Sequence, residues 1–242
     1  MSTDPRKATQ RVGVISCSGG ATFVEAVLAL QPIAQQLPGF HVVTDRPCGI
    51  EDRCTELNVG LTRIEDDNID RFCAQAADVL IEEHRVGMVL LFFHRIVTKS
   101  LWGRVPTLNI HPSLLPAYRG FSPLKRALAD GVKEFGATLH LATDAVDAGP
   151  ILAQVKQQVP PCATLDDLNR MSFIQKTCLT LLAIEALMTD RLQVDLEQGI
   201  AQLLPPVDQG LSMAPSFATK AYRDAFARVQ AVHDIPGQPI QL

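Results

Sequence analysis

Short apolar runs alternate along the chain with segments in which apolar residues recur every three or four positions. The runs RVGVIS (11–16), HVVTD (41–45), VGMVLLFF (86–93) and VPTLNIH (105–111) predict strands, and LTRIE (61–65) predicts a shorter one. The amphipathic segments between them predict helices. Strands that alternate with helices predict an α/β fold with a doubly wound, mostly parallel sheet. The run at 86–93 is almost entirely apolar, which is typical of a central strand covered on both faces.

The ends of the predicted helices follow from capping residues and periodicity. Residues 23–37 predict one helix after the first strand, and Asp67 is the expected cap of the helix that follows it. Thr164, with Asp167 three residues later, forms a capping box that predicts a long helix over about 165–190.

The last third of the chain shows a different pattern. Alternation in ATLHLAT (137–143) and PILAQVKQQV (150–159) predicts an antiparallel strand pair around the turn DAVDAG (144–149). The Pro- and Gly-containing stretch at 203–217 predicts irregular structure, and residues 218–232 predict a final amphipathic helix.

Composition narrows the function classes. The chain has 242 residues, 47% of them hydrophobic, and a formal net charge of −4, so it lacks the basic field that attracts nucleic acid or anionic lipid. The polar first ten residues contain no signal-peptide core, and six scattered cysteines lack metal-ligand spacing. We therefore expect a cytoplasmic protein with reduced thiols, no metal, and neither a nucleic-acid nor a membrane partner.

Candidate chemistry lies where two predicted strands end, at SCSGGAT (16–22) and NIHPS (109–113), since ligands bind beyond the carboxyl ends of such strands. Asn109 and His111 point to the same side of their strand. With a carboxylate from TDAVDAG, they supply the groups needed to move an acyl group without a covalent enzyme intermediate. Each residue alone has a structural explanation, such as a turn or a satisfied backbone group, but the three together favour catalysis.

The segments NIHPSLLPAYRG and GATLHLATDAVDAGPILAQ closely resemble the 10-formyltetrahydrofolate-dependent formyltransferases, over about residues 11–193. This family includes glycinamide ribonucleotide transformylase, methionyl-tRNA formyltransferase and sugar-amine formyltransferases. The resemblance implies a Rossmann-like fold and formyl transfer from 10-formyltetrahydrofolate, as cosubstrate, to a primary amine of a small molecule such as glycinamide ribonucleotide. Alternatives are a sugar-amine or amino-acid-derived acceptor, or a folate- or nucleotide-binding protein that has lost turnover.

The resemblance also implies roles for individual residues. Asn109 and His111 would polarise the formyl oxygen, while Asp147 would orient His111 and help to move the amine proton; Asp144 is a rival carboxylate that stands three residues early. The expected folate contacts are Phe92, Phe93, His94, Arg95, Ile96, Val97, Thr143, Asp144, Ala145 and Val146. The expected acceptor-side residues are Ser18, Gly19, Gly20, Ala21, Thr22, Ser113, Arg119, Gly120 and His140.

Some features depart from the family pattern. Phe92 replaces a small glycine, and the turn SCSGGAT lacks the Ser-Asn pair of the purine enzymes, whereas YRGFSP (118–123) is nearer to the tRNA and sugar-amine enzymes. A dinucleotide-binding dehydrogenase is disfavoured because GVISCSGG (13–20) lacks the GxGxxG spacing.

The expected organisation is a catalytic domain over 1–193 and a C-terminal segment over 194–242 that packs on it or extends it. We expect neither the N-terminal regulatory domain of formyltetrahydrofolate hydrolase nor the C-terminal barrel of the tRNA enzyme. The oligomeric state stays open.

Overall fold

The computed structural model describes residues 11–205 and 216–233, so the first ten residues and parts of the predicted C-terminal segment lie outside the described residues. The strands in the described ranges are β1 (Arg11–Ser16), β2 (Gly39–Thr44), β3 (Gly60–Arg63), β4 (Met88–Phe92), β5 (Thr107–His111), β6 (Glu134–Leu141), β7 (Ile151–Gln158), β8 (Leu192–Asp195) and β9 (Ile200–Leu203). The α-helices are α1 (Ala21–Ala29), α2 (Ile50–Leu57), α3 (Ile69–Ala77), α4 (Lys99–Trp102), α5 (Pro123–Ala129), α6 (Leu165–Met188) and α7 (Lys220–His233). A 3-10 helix (Gln31–Gln36) follows α1, and a π-helical turn (Asp78–Glu83) continues α3.

Seven strands form one sheet in the order β3-β2-β1-β4-β5-β6-β7. The first five strands of the chain pair in parallel, whereas β6 is antiparallel to β5 and β7 is antiparallel to β6. The chain builds outward from β1 to β3 and then returns to β4 on the other side of β1. This reversal is the switch point of a doubly wound sheet, and it confirms the predicted fold class.

Strand β4 lies at the centre of the sheet and is covered on both faces, as its apolar sequence predicted. Met88 and Leu90 pack in the cluster that contains α1, α6 and α7, while Val89 and Leu91 pack in the cluster of α3 and α4. Helix α6 is long and apolar enough to cross a bilayer, but 78% of its most apolar window is buried inside the protein. Its hydropathy is therefore accounted for by packing against the sheet.

Two local predictions were wrong. The helix expected over 23–37 ends at Ala29, because Pro32 lacks the N–H that a continuing α-helix needs, and a 3-10 helix takes its place. Asn68, not Asp67, caps α3: its side chain accepts a hydrogen bond from the Arg71 backbone at 3.0 Å.

The β8–β9 hairpin was not predicted. Its turn is held by the Asp195 side chain, which accepts hydrogen bonds from the backbone N–H groups of Glu197 and Gln198 at 3.0 Å. Gly199 supplies the left-handed conformation (φ +64°) that closes the turn. The alternation in LQVD and IAQL was the available signal.

The capping box at Thr164 and Asp167 is confirmed, and the opposite end of α6 anchors α7. Glu185 is fully buried, and its carboxylate accepts hydrogen bonds from the backbone N–H groups of Ala218 and Thr219 at 2.8 Å. The same carboxylate lies 3.3 Å from the Arg191 guanidinium. A negative charge directly before the first turn of α7 stabilises that helix terminus and fixes it against the core.

Replacing Glu185 by glutamine should destabilise the protein by about 3 kcal/mol, because the buried Arg191 charge would lose its partner. The free energy of unfolding from denaturant titration measures this loss. K220A is the matched control, since the Lys220–Asp224 pair has side chains that are 80% and 46% exposed and should contribute less than about 1 kcal/mol. Equal stabilities of E185Q and K220A would contradict this account.

His41 on β2 makes the stability dependent on pH. Its buried ring stacks on His84 with 3.5 Å between the ring centroids, and its Nε2 lies 2.9 Å from the Thr62 hydroxyl. Burial, with smaller contributions from the charges of His84 and Arg11, lowers the pKa of His41 to about 4. The unfolded chain then binds a proton more readily than the folded protein does.

The contribution of His41 is therefore complete above about pH 6.5 and is lost as the pH falls from 6.5 towards 4. The melting temperature should fall across this range, and it should fall less steeply in H41Q. An identical pH dependence in both proteins would exclude His41 as the source.

Candidate active site

The predicted site residues lie where β1, β4 and β5 end, beside the switch point of the sheet. Ser16 at the end of β1 is in register with Phe92 at the end of β4, and Leu91 of β4 is in register with Asn109 of β5. The carboxyl ends of these strands therefore form one edge, as expected for ligand sites in such sheets.

Strands β5 and β6 bring Asn109, His111 and His140 together. Asn109 lies directly opposite His140 in the antiparallel register, so the Asn109 Nδ2 and His140 Nε2 atoms are 3.1 Å apart. His111 follows two residues later and points to the same side of β5. Its side chain is buried, with 6% of its surface exposed.

Asp147 reaches this cluster from the loop that joins β6 to β7. Its backbone is left-handed (φ +50°), which turns the loop back towards β5. Gly149 lets the loop pack closely, because a Cβ atom there would collide with the Leu141 carbonyl oxygen. The Asp-x-Gly spacing in the sequence thus has a steric reason.

The Asp147 carboxylate is the centre of the cluster. Its Oδ2 lies 3.2 Å from His111 Nδ1 and accepts the Gly120 N–H at 2.9 Å. Its Oδ1 accepts from Asn109 Nδ2 at 3.3 Å and lies 3.5 Å from His140 Nε2. Four groups from three segments therefore converge on one carboxylate.

Both ring nitrogens of His111 face oxygen atoms, since Nε2 lies 2.9 Å from the Tyr118 carbonyl. Only the doubly protonated ring donates to both Tyr118 and Asp147. Burial nevertheless lowers the pKa of His111, against the opposing effects of the Tyr118 carbonyl and the Asp147 charge. Burial alone would raise the pKa of Asp147, but the His140 and Gly120 hydrogen bonds and the charge of His111 hold it below its usual value.

The loop over 112–122 supplies the Tyr118 carbonyl and the Gly120 N–H. Ser113 is buried and supports this loop by donating to the Ala117 carbonyl at 2.6 Å. The Leu115–Pro116 peptide is cis. Tyr118, Gly120 and Ser122 all have left-handed backbones, so the chain turns sharply in this loop and returns to β5. This arrangement explains why a Pro-rich segment directly follows Asn109 and His111.

Two cavities open at this edge of the sheet. The β6–β7 cavity has a volume of about 390 Å³ and is lined by the 93–97 segment and the loop that carries Asp147. The β1–α1 cavity has a volume of about 550 Å³ and is lined by the turn after β1, by His111 and by α6. Both volumes suit small-molecule ligands.

The two cavities meet at Asn109. The residues that line both of them are Leu91, Phe93, His94, Asn109, Gly120 and Phe121. A ligand in either cavity can therefore reach the Asn109 amide, and two ligands can meet there.

Most of the predicted folate contacts line the β6–β7 cavity, namely Phe93, His94, Arg95, Ile96, Val97, Thr143, Ala145 and Val146. Asp144 does not line it. Phe92 lines the β1–α1 cavity instead, with its ring 6.4 Å from that of Phe23, because neighbouring residues at a strand end point to opposite sides. The Arg95 guanidinium is occupied by Asp45 and by the carbonyls of residues 66 and 67.

The predicted acceptor-side residues divide in the same way. Ser18, Gly20, Ala21 and Thr22 line the β1–α1 cavity, His140 lines the β6–β7 cavity, and Gly120 lines both. Gly19, Ser113 and Arg119 line neither cavity.

Sequence reasoning missed Phe121, Phe173 and Lys176. Phe121 is 80% exposed and lines both cavities, and it directly follows the quoted motif. Phe173 and Lys176 come from α6, one turn apart, and line the β1–α1 cavity. A lysine within a long apolar helix was the available signal.

No group of three or more His, Cys, Asp or Glu residues in the described part of the chain is arranged to hold a metal ion.

Comparison with known proteins gives a consistent picture. Residues 12–180 match the family described as formyl transferase. The methionyl-tRNA formyltransferase of Roseiflexus castenholzii is 33% identical over 184 residues, covering 71% of this chain and 58% of that protein. The formyltetrahydrofolate deformylase of Mycobacterium bovis is 47% identical over 66 residues, covering 27% of this chain and 21% of that protein.

Solved structures resemble most of the chain. Glycinamide ribonucleotide transformylase 1 from Symbiobacterium toebii has a TM-score of 0.70 and 27% identity, covering 81% of this chain and 95% of that one. The matches span only between 20% and 58% of the length of the first curated relatives. These proteins are named for three different reactions, so the likeness does not select one acceptor.

Proposed function

Because the chain belongs to the formyl transferase family, which residues 12–180 match, we propose that it transfers the formyl group of 10-formyltetrahydrofolate to a primary amine of a small molecule. The observation that carries the proposal is the meeting of the two cavities at Asn109, whose amide lies 3.3 Å from the Asp147 carboxylate that pairs with His111. A donor in one cavity and an acceptor in the other would bring a formyl carbon and an amine together at a preorganised polar group.

We assign the β6–β7 cavity to the folate. Its wall contains the apolar side chains of Phe93, Ile96, Val97 and Val146, which suit a flat heteroaromatic ring. The β1–α1 cavity would then hold the acceptor, with its amine towards Asn109.

The reaction begins when the lone pair of the acceptor amine attacks the formyl carbon carried by N10 of the folate. The new C–N bond forms as the carbonyl π electrons move to oxygen, which gives a tetrahedral intermediate. Its collapse re-forms the carbonyl and breaks the bond to N10. The acceptor nitrogen loses one proton and N10 gains one, so atoms and charge balance without an oxidant or reductant.

Asn109 is the proposed donor to the developing oxyanion. Its hydrogen bond to Asp147 is long, at 3.3 Å, and we propose that the formyl oxygen takes the place of that contact. His111, held between Asp147 and the Tyr118 carbonyl, would add positive charge beside the same oxygen when protonated.

Asp147 is the proposed route for the amine proton. The pKa of its carboxyl lies below the usual value, so the group is ionised at neutral pH and can accept a proton through a water molecule. It also keeps His111 and Asn109 in place.

Glycinamide ribonucleotide is the first acceptor to test, since solved structures with this fold are named for it. The net charge of −4 favours a small acceptor over tRNA. We propose a cytoplasmic location, in keeping with six free cysteines.

N109A should lower kcat by about 10²–10³-fold, which is typical of the loss of one oxyanion donor. H111A and D147A should lower it by about 10²–10⁴-fold, because charge beside the oxygen and the proton route are lost. The assay follows the absorbance of tetrahydrofolate release with a panel of amines. Circular dichroism checks that each variant is folded.

K220A, at an exposed position on α7, is the activity control. Turnover like that of the unaltered protein in all three site variants would remove the assignment. Release of formate without any formylated amine would show that the protein hydrolyses the formyl donor instead of transferring the formyl group.

A further inference from the structure

Four of the ten phenylalanines in the chain line the β1–α1 cavity, namely Phe92, Phe93, Phe121 and Phe173. Five of the others are buried in the hydrophobic clusters of the core: Phe23, Phe72, Phe135, Phe217 and Phe226. Phe40 is partly buried and packs on Phe23, with 5.4 Å between the ring centroids. Apart from Phe40, the phenylalanines that the core does not enclose therefore face one cavity.

The four side chains reach this cavity from separate parts of the fold. Phe92 ends β4, Phe173 belongs to α6, and Phe121 lies in the loop over 112–122. All four keep exposed surface, and Phe121 is 80% exposed. Single exposed apolar side chains are common on protein surfaces, but several of them around one cavity indicate a face that a ligand covers.

Phe92 and Phe173 distinguish the acceptor side from the folate side. Phe93 and Phe121 line both cavities, so a folate in the β6–β7 cavity can contact them. Of the two cavities, Phe92 and Phe173 line only the β1–α1 cavity. Phe92 also stands where the family pattern has a small glycine, so its ring is a feature of this chain.

Both rings are supported from the protein side. The Phe92 ring lies 6.4 Å from that of the fully buried Phe23, and the Phe173 ring lies 5.0 Å from that of His233 in an edge-to-face arrangement. Neither Phe23 nor His233 lines the cavity. Supported side chains lose little conformational freedom when a ligand binds, which favours affinity.

We propose that the acceptor carries an aromatic ring, and that Phe92 and Phe173 are specificity-determining residues that bind this ring while the acceptor amine lies at Asn109. This inference rests on the proposed function and adds a substrate class to it: the acceptor is an arylalkyl amine. Aromatic rings prefer offset-stacked or edge-to-face contacts, which phenylalanine side chains offer to a planar ring. Glycinamide ribonucleotide has no aromatic ring, so we expect a different acceptor to be preferred.

Isothermal titration of the full chain compares phenethylamine with cyclohexylethylamine, which has the same carbon skeleton but a saturated, puckered ring. The unaltered protein should bind phenethylamine about 3- to 10-fold more tightly, as for aromatic contacts that add to the burial of apolar area. Tryptamine should also bind, whereas ethylamine, which has no ring, should not. F92L and F173L should each lower the ratio of the two dissociation constants, and the double variant should bring it close to one.

Formyl transfer from 10-formyltetrahydrofolate to the same amines provides the second readout. F173L should raise KM for phenethylamine and tryptamine, with little change in KM for 10-formyltetrahydrofolate. A raised KM for the folate in place of the amines would overturn the inference, because the two rings would then serve the formyl donor.

F226L is the matched control, since Phe226 is buried on α7 and does not line the β1–α1 cavity. It should leave the ratio of the two dissociation constants unchanged, and melting temperatures show whether each variant is folded. Equal binding of phenethylamine and cyclohexylethylamine by the unaltered protein would show that the phenylalanines only narrow the cavity, and the inference would be wrong. It would also be wrong if neither phenethylamine nor tryptamine binds.

The two proposals fail separately. Binding of phenethylamine that depends on Phe92 and Phe173, without formyl transfer to any amine, would overturn the proposed function and leave the aromatic site standing. Formyl transfer to glycinamide ribonucleotide, with none to phenethylamine or tryptamine, would do the reverse.

Discussion

The position of the Asp147 carboxylate is the constraint on which the site geometry depends. A left-handed residue and the close packing of Gly149 bring it to β5, where it meets Asn109, His111 and the Gly120 N–H. Each of these partners comes from a different turn or strand position. Because one carboxylate holds them all, the edge of β5, the loop over 112–122 and the β6–β7 loop form one rigid unit.

Charge is divided between the two sides of this unit. The β6–β7 cavity carries the carboxylate and an apolar wall, whereas the β1–α1 cavity carries Lys176 and the amino terminus of α1. Helix α6 belongs both to the core and to the site, because it packs on the sheet and also supplies Phe173 to the wall of the β1–α1 cavity. Helix α7, held by Glu185, supports that wall through His233, whose ring lies 5.0 Å from that of Phe173.

Much of the fold followed from local pattern. The doubly wound sheet, the central position of 86–93 and the capping box at Thr164 were all predicted, because burial on one or both faces leaves a period in the sequence. The 3-10 helix at Pro32 and the β8–β9 hairpin were missed, although both have local signals. The 3-10 helix was missed because the apolar periodicity of α1 continues past Pro32. The hairpin was missed because strands of four residues give too short an alternation to stand out.

The sequence by itself determined which polar groups stand at strand ends, and a resemblance of motifs singled out Asn109, His111 and Asp147. Only the tertiary structure decided what each group contacts: that His111 is held by the Tyr118 carbonyl, and that Lys176 lines a cavity without a carboxylate. The distances of such contacts depend on the conformation of the loop over 112–122 and on the packing of α6. Local periodicity records which side of an element is buried, but it carries no information about what lies opposite that side.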